Sequence, residues 1–180
     1  MTSILKLFLD IALLRRGPED VPVSRGLLFW TVVAYFALSM ALVANVGDAN
    51  GGVLPVITGI AIAFGWFRFL LARFGRPERF VQTMIAYFGF SLLFRLATAP
   101  LVSALAPYAD KPQDLPTGLM LLAVPVSVYQ VFVAARILRA AIERPMLVCV
   151  LLLIVQSVLE FVVATSLLGL RPGDTMGSLS

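Results

Sequence analysis

Histidine is missing from this 180-residue sequence, and cysteine occurs only once, at position 149. These absences exclude Ser-His and Cys-His nucleophiles, HExxH zinc sites, haem histidine ligands and His/Cys zinc cages. The lone Cys149 also excludes a disulfide within the chain. There is no GxxxxGK[ST] phosphate loop. Every aspartate lies in a loop or in the amphipathic first segment, so the apolar spans lack the aspartate pair that an intramembrane aspartyl protease needs. We therefore expect no enzyme activity, no catalytic residue, no cofactor and no metal site.

Charged residues are also scarce. They make up 13% of the chain and hydrophobic residues 60%, whereas soluble domains average about 25% and 45–50%. This composition is typical of an integral membrane protein, and the length fits one domain. The net charge of +4 comes from twelve arginines and two lysines against ten acids. In a membrane protein such an excess indicates orientation and contact with anionic lipid rather than nucleic acid.

The first segment, residues 2–14, repeats apolar residues with a helical period. Lys6 and Asp10 lie one helical turn apart on its polar face. Its apolar face consists of Ile4, Leu7, Phe8, Ile11 and Leu14. The pattern predicts an amphipathic helix in the membrane interface, followed by a connector that completes residues 1–25. A signal peptide is the alternative, but the two polar residues and the lack of a small-residue cleavage site weigh against it.

Five apolar stretches follow, each suited to crossing the roughly 30 Å hydrocarbon core of a bilayer. They cover residues 26–46, 53–72, 80–103, 117–135 and 145–170. We therefore predict an all-α, polytopic transmembrane helical bundle with five spans in residues 26–170 and a short external tail at 171–180. Pro100 is expected to kink or end the third span, and Pro125 to bend the fourth.

Lysine and arginine are unevenly divided between the two sides of these spans. Eleven lie on the side of the N-terminal segment and of the second and fourth loops, and only Lys111 and Arg171 lie on the other. The positive-inside rule then predicts a cytoplasmic N-terminus and a periplasmic C-terminus. The preference for arginine over lysine favours a bacterial gene, and hence the bacterial inner membrane.

The arginines around the second and fourth loops have a second interpretation besides orientation. Each basic group close to an anionic membrane surface contributes roughly 1 kcal/mol to lipid binding. The predicted contacts to anionic phospholipid are Arg73, Arg76, Arg79, Arg136, Arg139 and Arg144. The alternative is that these residues only set the orientation of the chain.

Polar residues inside the spans form a candidate seam. In the third span Tyr87, Ser91 and Arg95 follow one another at intervals of four, which places them on one helix face. The remaining members are Gln130, Gln156 and Glu160. An ionisable residue within a membrane span is a functional-site hypothesis by default. The seam either joins helices through hydrogen bonds or forms a path for a substrate or protons.

Arg95 and Glu160 are the two charges of this seam. Arg95 lies fifteen residues after Phe80, and Glu160 lies fourteen after Met146, so both are about 21 to 22 Å from the basic side. We predict that they form a buried ion pair. The alternatives are that Arg95 extends to the opposite surface, about 8 Å away, or that Glu160 is protonated.

An N-terminal segment, five spans, short loops and a short external tail resemble the Ypt-interacting-protein (Yip) domain family and its bacterial relatives. The resemblance covers residues 26–170 as topology, and the run LLRRGPEDVP before the first span is also similar. The first two spans lack the tyrosine- and glycine-containing signature of the eukaryotic members. The resemblance implies a non-enzymatic membrane factor and assigns a role to no residue.

Two functions follow from these observations. The first is a membrane assembly, shaping or adaptor factor that acts through helix and lipid contacts, with a membrane-protein partner or a second copy of itself. The alternative is a small transporter, flippase or channel subunit that uses the polar seam, and the charges of Arg95 and Glu160 favour it.

Overall fold

The computed structural model describes residues 2–13, 15–46, 53–108 and 116–167. Within these ranges the chain forms α-helices and short 3-10 turns and has no strand. The helices are α1 (Thr2–Ala12), α2 (Arg25–Val46), α3 (Val53–Arg73), α4 (Phe80–Leu105), α5 (Thr117–Ile142) and α6 (Met146–Leu167). The predicted all-α fold is confirmed. The predicted external tail, 171–180, lies outside the described residues.

Helices α2 to α6 are each long and apolar enough to cross a membrane, an architecture compatible with an integral membrane protein. Two of them run past their predicted ends. Helix α4 continues through Pro100 to Leu105. Helix α5 continues from Ala135 to Ile142 because the basic run after Ala135 is amphipathic, with Ile137, Leu138 and Ala141 buried.

Helix α4 is the centre of the bundle. Its most extensive contact is with α2, and it also contacts α1 and α5, while α6 packs on α3 and α5. The largest core cluster joins α3, α4, α5 and α6. Its fully buried large side chains include Phe67, Leu71, Met84, Leu138 and Cys149.

Helix α1 is docked into the bundle by its apolar face. Leu7, Phe8 and Ile11 are only 6%, 6% and 1% exposed, and they pack against the beginning of α4 and the end of α5. The ring of Phe8 lies over Gly89, where a Cβ atom would come within 3.0 Å of the ring. The Tyr129 hydroxyl donates a hydrogen bond to the Ala12 carbonyl, one of the orphan acceptors at the end of α1. The predicted amphipathic helix is present, and protein covers Leu7, Phe8 and Ile11 of its apolar face, whereas Ile4 is 39% exposed and Leu14 lies outside the described residues.

The bundle has two ends of different character. The basic end contains residues 15–25, the α3–α4 turn at 74–79 and the α5–α6 turn at 143–145. The far end is where α2 and α4 finish and α3 and α5 begin. Nearly all burial lies in the half next to the basic end: the buried residues of α5 all fall between Val133 and Ile142.

Candidate functional site

A large cavity lies at the basic end of the bundle. It has a volume of about 840 Å³. It lies between the segment after α1 on one side and the end of α5 with the α5–α6 turn on the other. Five arginines line this basic-end cavity: Arg15, Arg16, Arg136, Arg139 and Arg144. Three acids, Glu19, Asp20 and Glu143, leave the wall with a formal charge of +2. Part of the wall is apolar, from Ile11, Val133 and Ile137.

The segment after α1 is held in place by specific hydrogen bonds. The backbone N–H of Arg15 donates to the Asp10 carbonyl at 2.8 Å, and Arg16 forms an ion pair with the Asp10 carboxylate at 3.4 Å. Further along, Gln82 Nε2 of α4 donates to the Val21 carbonyl at 2.9 Å. These contacts fix Arg15 and Arg16 beside α5. Sequence reasoning used both residues for orientation only, although two arginines directly before a Gly-Pro helix stop could have indicated a turn that presents them.

The six arginines predicted to contact lipid divide into three groups. Arg136, Arg139 and Arg144 line the basic-end cavity, whereas Arg73 is exposed at the end of α3 and does not line it. Arg76 and Arg79 have a different role, as both bind the Glu143 carboxylate.

Glu143 joins the two turns of the basic end. Arg76 Nη2 lies 2.6 Å from Glu143 Oε2, and Arg79 Nη2 lies 3.0 Å from Oε1. Arg79 Nη1 also donates to the Ala140 carbonyl at 2.9 Å. Glu143 has a left-handed backbone, φ 54°, and its N–H caps α5 by donating to the Arg139 carbonyl at 2.8 Å. Two of the six predicted arginines are therefore held by protein groups of the other turn.

A second cavity lies among the candidate spans. This span cavity has a volume of about 200 Å³ and is bounded by α2, α3, α4 and α6. Its polar wall consists of Tyr35, Tyr87, Arg95 and Glu160. The opposite wall is formed by α3, from Pro55 to Ala63, which presents small or apolar side chains.

The two charges of the span cavity each have a neutral partner. Arg95 Nη2 donates to the Tyr35 hydroxyl at 2.8 Å, and its guanidinium carbon lies 4.7 Å from the centroid of the Tyr35 ring. Glu160 Oε1 accepts a hydrogen bond from Gln156 Nε2 at 2.8 Å. Tyr35 was not predicted, and the only available signal was a tyrosine near the middle of an apolar span.

The structure therefore corrects the predicted ion pair. Among the described residues the ion pairs within 4.0 Å join Arg16 to Asp10, and Arg76 and Arg79 to Glu143; Arg95 and Glu160 face one cavity without a contact. The reason is helix arrangement, because α4 packs chiefly on α2 while α6 packs on α3 and α5. Similar depth in the bundle does not make two residues neighbours.

The remaining seam residues are only partly brought together. Gln156 is 3% exposed and lies beside Tyr87, and its Oε1 has no hydrogen-bond partner among the described residues. Ser91 is buried in α4 but does not line the span cavity, and Gln130 is exposed on α5. The seam is thus a cluster between α2, α4 and α6 rather than a continuous path that includes α5.

The described residues contain no group of three or more His, Cys, Asp or Glu side chains suited to a metal ion. The chemistry that the two cavities offer is binding of charged groups by guanidinium, carboxylate and phenol. Comparison with family models, curated proteins and solved structures finds no match for this chain.

Proposed function

We propose that this protein is a non-enzymatic membrane protein that binds anionic phospholipid at its basic end and acts as an assembly, shaping or adaptor factor. We place the protein in the bacterial inner membrane, with its basic end on the cytoplasmic side, as the positive-inside rule predicts. The observation that carries the proposal is the basic-end cavity, in which five arginines face a space of about 840 Å³.

The chemistry of this cavity suits a phospholipid headgroup. The planar guanidinium of arginine presents paired donors that match phosphate oxygens. The three acids leave a charge of +2 on the wall for an anionic ligand. The apolar residues Ile11, Val133 and Ile137 are at most 3% exposed, so the open wall of the cavity is chiefly charged. The cavity lies at one end of the five apolar helices, where the headgroups of a bilayer are expected, and this position favours a lipid over a free anion.

The bundle itself supports a role through contacts rather than catalysis. Five helices that follow an N-terminal segment are the feature shared with the Yip family, whose resemblance implies a non-enzymatic membrane factor. The first half of α5, residues 117–132, is largely exposed, with Leu121 at 70% and Val128 at 63%. This surface is available to lipid, to a membrane-protein partner or to a second copy of the chain.

Native mass spectrometry of the purified protein with phosphatidylglycerol or cardiolipin tests the lipid site. We expect the triple variant Arg15→Gln/Arg136→Gln/Arg139→Gln to lose about 3 kcal/mol of lipid binding, at about 1 kcal/mol per basic group. The matched control is Arg68→Gln/Arg73→Gln, which removes two exposed arginines of α3 outside the cavity. Equal lipid occupancy in all three proteins would show that the arginines only set orientation.

A second candidate function, a small transporter, flippase or channel subunit, is favoured by the span cavity. Arg95 and Glu160 are costly in a membrane span and face the same space. Single cysteines at Gly59 or Ala63, in a Cys149→Ala background, provide the test. Transport predicts that membrane-impermeant thiol reagents reach these cysteines from either side of the membrane, while a purely structural cavity predicts access from at most one side.

A further inference from the structure

The span cavity holds one positive and one negative side chain whose binding capacity is largely unused. Arg95 uses one of its five N–H donors in the hydrogen bond to the Tyr35 hydroxyl. Glu160 uses Oε1 to accept from Gln156, and no hydrogen bond to its second oxygen is present among the described residues. Both side chains line the same space of about 200 Å³.

Two charges within apolar helices, neither of them in an ion pair with a described residue, destabilise the fold unless another group in the cavity binds them. A charge within a membrane span is normally paired, and removing one partner of a buried pair is strongly destabilising. Here each charge has only a neutral hydrogen-bond partner in the described part of the chain, and the two side chains line the same cavity from different helices, α4 and α6. A single molecule that carries both charges satisfies Arg95 and Glu160 without moving either helix.

We infer that the span cavity is a binding site for a small zwitterion that carries an acidic group and a protonated primary amine. The carboxylate or phosphate of the ligand binds the free donors of Arg95 next to the Tyr35 hydroxyl. The amine donates to Glu160 and to the Tyr87 hydroxyl, which lines the same wall. This site is separate from the basic-end cavity and does not depend on the function proposed for it.

The size of the cavity and the position of its wall limit the ligand. A volume of about 200 Å³ corresponds to roughly six or seven water molecules at about 30 Å³ each. Pro55, Val56 and Gly59, in the first two turns of α3, form the wall nearest the far end. The ligand is therefore small, either a free amino acid or the phosphoethanolamine headgroup of a lipid.

Ligand selectivity of the unmodified protein gives the first test. The full chain in detergent is titrated with glycine and γ-aminobutyrate as free zwitterions, and with phosphatidylethanolamine as the lipid form. Phosphatidylglycerol lacks the amine, and phosphatidylcholine lacks N–H donors. Native mass spectrometry and thermal shift measure binding. We expect one zwitterion class to bind and, in the Arg15→Gln/Arg136→Gln/Arg139→Gln variant that removes the basic-end lipid site, to bind roughly tenfold or more tightly than either control lipid.

Variants give the second test. Arg95→Gln and Glu160→Gln are each expected to weaken zwitterion binding roughly ten- to hundredfold. Gly59→Leu is expected to block it while leaving both charges, because a Cβ at Gly59 meets no atom within 4 Å and the larger side chain has room to fill the cavity. Gly65→Leu is the matched control, since Gly65 is equally open but does not line the cavity.

Three results overturn the proposal: no binding of either zwitterion class, equal binding of phosphatidylglycerol in the variant that lacks the basic-end lipid site, or unchanged zwitterion binding in both charge variants. If Arg95→Gln does not fold, ligand selectivity and Gly59→Leu still decide the question. The Arg15→Gln/Arg136→Gln/Arg139→Gln variant is expected to bind the zwitterion normally, so failure of the basic-end lipid site and failure of this site are distinguishable.

Discussion

The half of the bundle next to the basic end is tightly packed, and the half next to the far end is open. In α4 the buried residues lie between Thr83 and Ser91, and those of α5 lie between Val133 and Ile142. The first half of α5, by contrast, is half-buried or exposed throughout. Helix α1 packs only against the basic half, where it adds a sixth helix, while the larger core cluster of that half is formed by α3 to α6. Arg95 and Glu160, the two charges within the apolar helices, lie next to the looser half.

The largest expected effect is the difference in stability loss between two phenylalanine-to-alanine variants, one in each half of the bundle. Phe67 is fully buried near the basic end, whereas Phe132 on α5 is 44% exposed. Phe67→Ala is expected to lower the free energy of unfolding by about 3 to 5 kcal/mol because it leaves a cavity. Phe132→Ala is expected to cost about 1 kcal/mol or less. Unfolding titrations in mixed detergent measure both, and equal losses would contradict the contrast between the halves.

The docking of α1 gives the next largest effect. Gly89→Ala places a methyl group against the Phe8 ring, and overpacking of this kind costs about 1 to 3 kcal/mol. In a Phe8→Ala background the same substitution has no ring to displace and is expected to cost less than about 0.5 kcal/mol. A double-mutant cycle on thermal stability, with limited proteolysis near residue 16 as a second readout, checks this. Additive losses would show that α1 does not rest on Gly89.

Glu143 provides a smaller test at the basic end. Glu143→Ala removes two partly exposed ion pairs and leaves a left-handed backbone on a residue with a Cβ, so we expect a loss of about 1 kcal/mol. Glu143→Gly loses the same pairs but suits the left-handed conformation, and is expected to be about 1 kcal/mol more stable than the alanine variant. Equal melting temperatures for the two variants would show that the left-handed backbone at position 143 does not affect stability.

The smallest expected effect concerns Arg95 and Glu160. With no direct contact between them, the stability losses of Arg95→Ala and Glu160→Ala are expected to add within about 0.5 kcal/mol when no zwitterion is present. A direct ion pair would instead make the double variant more stable than Arg95→Ala alone. Thermal stability of the four proteins in detergent decides between these outcomes. Repeating the cycle with a bound zwitterion is expected to produce coupling, because the ligand then bridges the two residues.

The elements that sequence analysis predicted well depend on local properties. Hydrophobic length indicates five long helices, and the 3.6-residue period of residues 2–14 indicates α1. Helix α5 continues past Ala135, the predicted end of the fourth span. The arginines after Ala135 indicate a loop, but the same run also carries Ile137, Leu138 and Ala141 at helical spacing. Charge counting located the basic end, but it did not show that Glu143 binds Arg76 and Arg79 from the other turn.

The sequence by itself determined the helical class, the number of apolar helices and the approximate depth of each polar residue, because each residue advances a helix by about 1.5 Å. Only the tertiary structure decided which helices are neighbours and which way each one is rotated. Those choices come from side-chain packing between residues far apart in the chain, such as Phe8 against Gly89. They place Arg95 against Tyr35 and leave Glu160 in the same cavity without an ion pair to Arg95.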